Sequence, residues 1–245
     1  MTLLDFPGHV ACTVFLGGCD LRCPFCHNFD LADGTAQPVM DDEELLGFLK
    51  KRKGLLDGVA FTGGEPCLHK ELPELMRKIR DLGFGVKLDS NGCHPEMLAS
   101  MLEEGLVDYV AMDIKNSPAK YALTSGLERL DLAPVLESID ILRKAGRAGG
   151  SLKSGNEAGL MDADAAAGGF DYEFRTTVVK EFHEDADFEE IGKMIEGARH
   201  YFLQCFTDRD SVPFEGLHAP SKEDLERYAA IARKYVPDTQ LRGVD

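Results

Sequence analysis

The chain lacks any long apolar run: its 245 residues contain nothing near the roughly 20 apolar positions that span a bilayer. Its opening, MTLLDFPGHVACTVFLGG, also lacks the basic stretch of a secretory leader, and His9 and glycines interrupt its apolar residues. A cytoplasmic location without membrane association is the expectation. Basic residues are scarce as well, 27 against 43 acidic ones, for a formal charge of −16. A surface of that sign repels phosphate backbones, which argues against nucleic-acid binding, and solubility is explanation enough for it. Paired cysteine spacing is missing too. Seven cysteines is an odd number, and Cys12, Cys67, Cys93 and Cys205 are scattered. Without an export signal this argues against a disulfide framework and for reduced thiols.

What is present is ordinary for a globular chain, 44% hydrophobic and 29% charged, and long enough for one large α/β domain. Short β-rich runs alternate with amphipathic helical ones. The strand-like runs are Ala11–Leu16, Gly58–Gly63, Gly85–Ser90, Asp108–Lys115, Tyr172–Val179 and Tyr201–Phe206. Helical segments are expected at Asp41–Lys53, Lys70–Leu82, Pro95–Glu104, Leu130–Ala145, Asp187–Gly197 and Ser221–Tyr235. Asp187 with Glu190, and Ser221 with Asp224, read as helix caps. Six βα units in series imply a parallel sheet. A doubly wound sheet competes with an incomplete, TIM-like (β/α)6 barrel. The barrel is favoured because polar residues recur where strands end: TGGEP, DSNG, DIK and Gln204.

One segment breaks the rhythm. Gly146–Gly169 holds seven glycines and six alanines in 24 residues, too little apolar surface to offset its ordering entropy. It reads as a flexible surface insertion in an otherwise single domain spanning residues 1–245.

The chemistry concentrates in GGCDLRCPFCHNFDL, where Cys19, Cys23 and Cys26 are spaced Cys-x3-Cys-x2-Cys and followed by His27. Three readings fit the spacing. Structural zinc could take the three thiolates and His27, although adjacent residues rarely both reach one small tetrahedral ion. A redox Cys-x2-Cys pair leaves Cys19 without a task. An iron–sulfur cluster held by three thiolates keeps one iron open for a ligand, with Phe25 as a wall against solvent.

The loop resembles the signature of the radical S-adenosylmethionine superfamily, with Phe25 matching the aromatic residue before its last cysteine. The following His27–Asn28 is similar to the activating enzymes of glycyl-radical proteins. The wider set DFPGHVACTVFLGGCDLRCPFCHN, VAFTGGEP, LDSNG, MDIK and YEFRTTVVKEF resembles the activating proteins of anaerobic ribonucleotide reductase, with pyruvate formate-lyase activases as near relatives. The resemblance implies a 4Fe-4S cluster on Cys19, Cys23 and Cys26, with S-adenosylmethionine on the open iron. It implies that Gly63, Gly64, Glu65 and Pro66 meet the methionine amino group, with Glu65 as charge partner. It also implies that Asp113 faces ribose and Lys115 the carboxylate, with Asp89 and Asn91 as further contacts and Arg175 and Gln204 as weaker ones.

The activity implied is reductive cleavage of S-adenosylmethionine to a 5′-deoxyadenosyl radical, which takes hydrogen from a glycine of a partner protein. That partner would be anaerobic ribonucleotide reductase, and the electron donor a flavodoxin or ferredoxin. An incomplete barrel, open at the side, suits a polypeptide substrate. The chain departs from some activases in having no inserted ferredoxin-like module. Cys67 and Cys93 are expected to be small fillers near the mouth. The competing functions are an activase of the pyruvate formate-lyase type, a small-molecule radical enzyme and, more distantly, a zinc-binding interaction module.

Overall fold

The computed structural model describes residues 2–149 and 169–244. Period-two alternation builds its central wall. In β2 (Gly58–Gly63), β3 (Gly85–Ser90) and β4 (Tyr109–Asp113), one set of alternate residues is apolar: Val59, Phe61, Val86, Leu88, Val110 and Met112. These join one hydrophobic core with Leu49, Met76, Ile79, Leu98, Met101 and Leu142 of the surrounding helices. Phe61 and Leu88 are completely buried, and each contributes about 2 kcal/mol by leaving water. The other set carries charge, including Lys87, Asp89 and Asp113, and faces the inside.

The remaining strands are β1 (Ala11–Leu16), β5 (Asp171–Val178), β6 (Tyr201–Cys205) and β7 (Thr239–Arg242). All seven run parallel in the order β1-β2-β3-β4-β5-β6-β7, and β1 and β7 do not pair with one another. The arrangement is the open, barrel-like parallel sheet expected, with a seventh strand added. Below the inner face, Phe6 packs with Ala11, Tyr109 and Ala111 and plugs the end of the barrel where the strands begin. Farther up, Arg242 of β7 reaches Glu173 of β5 through two bonds of 2.6 and 2.8 Å. Tyr109 donates to the same carboxylate at 2.7 Å, so the short last strand is fastened to the middle of the sheet.

The helices are α1 (Phe29–Asp33), α2 (Asp42–Lys50), α3 (Leu72–Asp81), α4 (Pro95–Glu103), α5 (Tyr121–Thr124), α6 (Ala133–Gly149), α7 (Asp185–Met194) and α8 (Lys222–Ala232). Ser221 caps α8 as expected, its hydroxyl accepting from the Asp224 N–H at 3.1 Å. The α7 cap lies three residues earlier than expected: Glu184 is the N-cap and Asp187 is its capping-box partner. The expected insertion at 146–169 is corrected at its start, because α6 continues to Gly149. The rest of that expectation, residues 150–168, lies outside the described residues. No helix among the described residues is long and apolar enough to cross a membrane.

Candidate functional site

The cysteine loop is held in place by backbone more than by side chains. Gly18 takes a φ of +84° and donates to the Leu31 carbonyl at 2.8 Å, turning the chain out of β1. The end of β2 then locks against this turn. Gly64 N–H donates to Leu16 O and Glu65 N–H to Gly18 O, both at 2.8 Å. A Cβ on Gly64 would lie 1.9 Å from the Gly18 carbonyl oxygen, and one on Gly63 2.4 Å from that of Leu16. The two glycines therefore answer first to the approach of the cysteine loop. On the loop's other side, Arg22 N–H donates to the Ser125 carbonyl at 2.9 Å.

Three thiols result, all free, at the top of the inner face. Cys19, Cys23 and Cys26 line one cavity together with Phe25, Gly63, Gly64, Asp89, Asn91, Asp113, Lys115, Arg175 and Gln204. Twelve of the fourteen expected residues thus converge on one space, gathered from one loop and the ends of β2 to β6. Phe25 is buried among Leu21, Cys23, Val179 and Phe206, an apolar group that dries one side of the thiols. Burial raises all three thiols, and Cys23, the most enclosed, is pushed up to about 11. In the absence of metal these groups stay protonated, so a bound metal must displace the protons.

The donor set discriminates between a single ion and a cluster. Among the described residues, no three His, Cys, Asp or Glu side chains converge closely enough to hold one metal ion. His27 is turned away, donating from Nε2 to the Thr207 carbonyl at 2.6 Å and stacking on Phe206. A zinc ion needs its ligands about 2.3 Å from one centre, whereas a cube of iron and sulfide spreads them over separate corners. The three thiols around one cavity fit the second case.

Below them lies a charged network. Lys115 donates to Asp113 Oδ2 at 2.9 Å, Arg175 binds Asp113 Oδ1, and Arg175 Nη2 meets Asp89 Oδ2 at 3.2 Å. Burial opposes the Asp113 charge, but Arg175 and Lys115 outweigh it and hold the carboxyl well below the usual range. Lys115 stands just beyond the end of β4 at Asp113, not on the strand as expected. Sequence reasoning passed over Lys87, which is buried and paired with Asp89 from two positions away on the same face. A lysine in the apolar run GVKLDS was its visible signal. Asn28, noted in the sequence only as part of a resemblance, gains a role: its Nδ2 donates to the Gly63 carbonyl at 3.3 Å and so ties the loop to β2.

Two expected residues stand outside the cavity. Pro66 is buried at the start of a single 3-10 turn, Pro66–Leu68. The Glu65 carboxylate is fully buried and points toward the turn after β3, accepting from Cys67 N–H, Ser90 Oγ and Asn91 N–H at 3.0, 3.0 and 2.6 Å. These three donors fix the carboxylate from within the chain and leave it room for a further donor. Cys67 is buried 3.7 Å from Ser90 Oγ, and Cys93 packs against the apolar side of the cysteine loop.

Comparison with known proteins agrees with this geometry. A protein of Methanocaldococcus jannaschii, assigned as a glycyl-radical enzyme activating enzyme, is 28% identical over 258 aligned positions, covering 100% of this chain and 94% of that one. The pyruvate formate-lyase-activating enzyme of Clostridium pasteurianum is 34% identical over 121 positions, 47% of this chain and 50% of the other. The fold is similar to that of Streptococcus suis SuiB bound to S-adenosylmethionine, with a TM-score of 0.65 at 14% identity over 98% of this chain and 51% of that one. This chain therefore spans about half the length of that structure. The family profile described as the radical SAM superfamily matches residues 13–157. The chain belongs to the radical SAM superfamily, whose members use a 4Fe-4S cluster and S-adenosylmethionine.

Proposed function

We propose that this single-domain chain is a glycyl-radical activase, and that its partner is anaerobic ribonucleotide reductase. The reading is carried by one observation: the three thiols of the cysteine loop and the charged ends of β3, β4 and β5 line the same cavity. The end-to-end match to the archaeal activating enzyme supports the subtype, where the match to 7-carboxy-7-deazaguanine synthase of Thermococcus kodakarensis covers only 54% of this chain.

In this reading Cys19, Cys23 and Cys26 ligate three irons of the cluster. Bound together, cluster and S-adenosylmethionine supply one-electron cleavage of the sulfonium and a 5′-deoxyadenosyl radical able to take hydrogen from a glycine Cα. The chain's own residues bind, orient and exclude water. Phe25 and its apolar neighbours keep solvent from the thiols. Lys115 is the cation for the methionine carboxylate and Asp113 the acceptor for ribose hydroxyls, each fixed by the other and by Arg175. Gly63, Gly64, Asp89, Asn91 and Gln204 complete the walls. The unpaired side between β1 and β7 gives a polypeptide loop lateral access. A flavodoxin or ferredoxin of the cytoplasm delivers the electron.

The test is anaerobic reconstitution with iron and sulfide, followed by reduction with S-adenosylmethionine and the reductase. A brown protein, 5′-deoxyadenosine and a glycyl-radical resonance on the reductase are expected. Cys19→Ala, Cys23→Ala and Cys26→Ala should each abolish all product. Turnover without a radical on the reductase refutes the partner; retained turnover in any cysteine variant refutes the ligand set.

A further inference from the structure

Asn91 stands in the turn after β3, buried, with its backbone N–H and both ends of its side-chain amide committed. Its backbone N–H donates to Glu65 Oε2 at 2.6 Å, and its Oδ1 accepts from the Cys93 N–H at 2.9 Å. The second contact fixes which end of the amide is oxygen, because a backbone N–H can only be met by an acceptor. The amide nitrogen is thereby directed to the Cys19 sulfur, 3.8 Å away. Leu21 N–H approaches the same sulfur at 3.4 Å. Cys23 differs: it is enclosed by Leu21, Phe25, Val179 and Phe206.

We infer that Asn91 tunes the cluster through an N–H···S hydrogen bond to Cys19, and that Glu65 is the positioning residue that keeps Asn91 in line. The inference rests on the reading that Cys19 is a cluster ligand. A thiolate on iron carries more negative charge than the thiol and draws a donor closer. Reduction adds a further negative charge to the cluster, part of which falls on the cysteine sulfurs. A donor aimed at one of them stabilises the reduced form more than the oxidised form and raises the potential. Glu65 supplies the rigidity. Its buried carboxylate joins Cys67, after β2, to Ser90 and Asn91, at the end of β3, so the amide cannot swing away from the loop. The glutamate of the GGEP sequence is thus directed to the cluster's surroundings.

The experiment is a redox titration of the reconstituted protein, followed by electron paramagnetic resonance, without S-adenosylmethionine or partner. Asn91→Ala should shift the midpoint to a more negative potential. Asn91→Asp keeps the oxygen for Cys93 but replaces the donor with an anionic oxygen, and should shift it further. Glu65→Ala removes a charge as well as a brace, so its readout is the coupling of 15N-labelled asparagine to the reduced cluster, which should weaken and should recover in Glu65→Gln, which keeps an acceptor for the Asn91 N–H. A purely structural role would lower iron content or melting temperature and leave the potential of assembled clusters unchanged. Full-occupancy Asn91 variants that titrate at the wild-type potential overturn the inference. If the variants assemble no cluster, the unmutated protein decides: with asparagine side chains labelled with 15N, a nitrogen coupling to the reduced cluster is expected, and its absence overturns the inference. A Cys19→Ala protein with an unaltered cluster overturns the underlying ligand set instead.

Discussion

The two faces of the sheet are made by the same strands and obey opposite rules. On the outer face, Val59, Phe61, Val86, Leu88, Val110 and Met112 are packed against helices, with no exposed surface left. On the inner face, one residue along, stand Lys87, Asp89, Asp113 and Arg175, which satisfy one another across the space between strands. The outer face gains from every methylene it buries. The inner one gains little from pairing charges away from water, since desolvation offsets most of the attraction. Stability therefore resides mainly outside and chemistry inside, and substitutions should separate the two.

The sharpest separation is at the roof of the inner face. Cys23→Ala should abolish iron-dependent cleavage of S-adenosylmethionine completely, while metal-free protein unfolds within about 1 kcal/mol of wild type in urea. Phe61→Ala should do the converse, costing about 3–5 kcal/mol of stability while the folded fraction keeps its turnover per cluster. Equal loss of turnover per cluster in both variants would break the distinction between faces. Asp113→Asn falls between them. The Asp113 carboxyl is held below its ordinary value, so it contributes stability that is complete above about pH 4 and is lost as pH falls toward the folded value. The stability gap between wild type and Asp113→Asn should thus be widest at neutral pH and close on acidification, alongside weakened binding of S-adenosylmethionine by calorimetry. Smallest is Ser221→Ala on the outer helix α8, where losing the cap should cost about 1 kcal/mol and leave cleavage unchanged.

The outer face was the more legible in sequence, because period-two apolar runs and capped amphipathic helices announce themselves. β7 escaped notice: TQLR is four residues with one apolar side chain, and what fastens it is Arg242 reaching Glu173 in a distant strand. The cysteine loop was legible because its three thiols are close in sequence. Lys87 was less so: its Asp89 partner lies only two positions along, but that this face of β3 is turned inward and buried is decided by the neighbouring strands. Glu65 shows the limit of a motif: the residues GGEP mark the place, but which way the carboxylate turns depends on donors near residue 90. The helix following Leu130 continued past its expected end, because the composition of Gly146–Gly149 does not prevent the last turn of an already packed helix.

The charge of the chain acquires a second meaning at the cavity. The chain carries a charge of −16 in all, whereas the charged side chains lining the cavity balance, Lys115 and Arg175 against Asp113 and Asp89. The excess of negative charge thus gives way to paired charge between approach and destination. A plain anion is turned back before it arrives, and a plain cation finds no vacancy when it does. A molecule bearing both signs, cationic in sum with one carboxylate to set down, is welcomed at each stage, and S-adenosylmethionine is such a molecule. Selection begins within the screening distance of about 8 Å, before any contact is made.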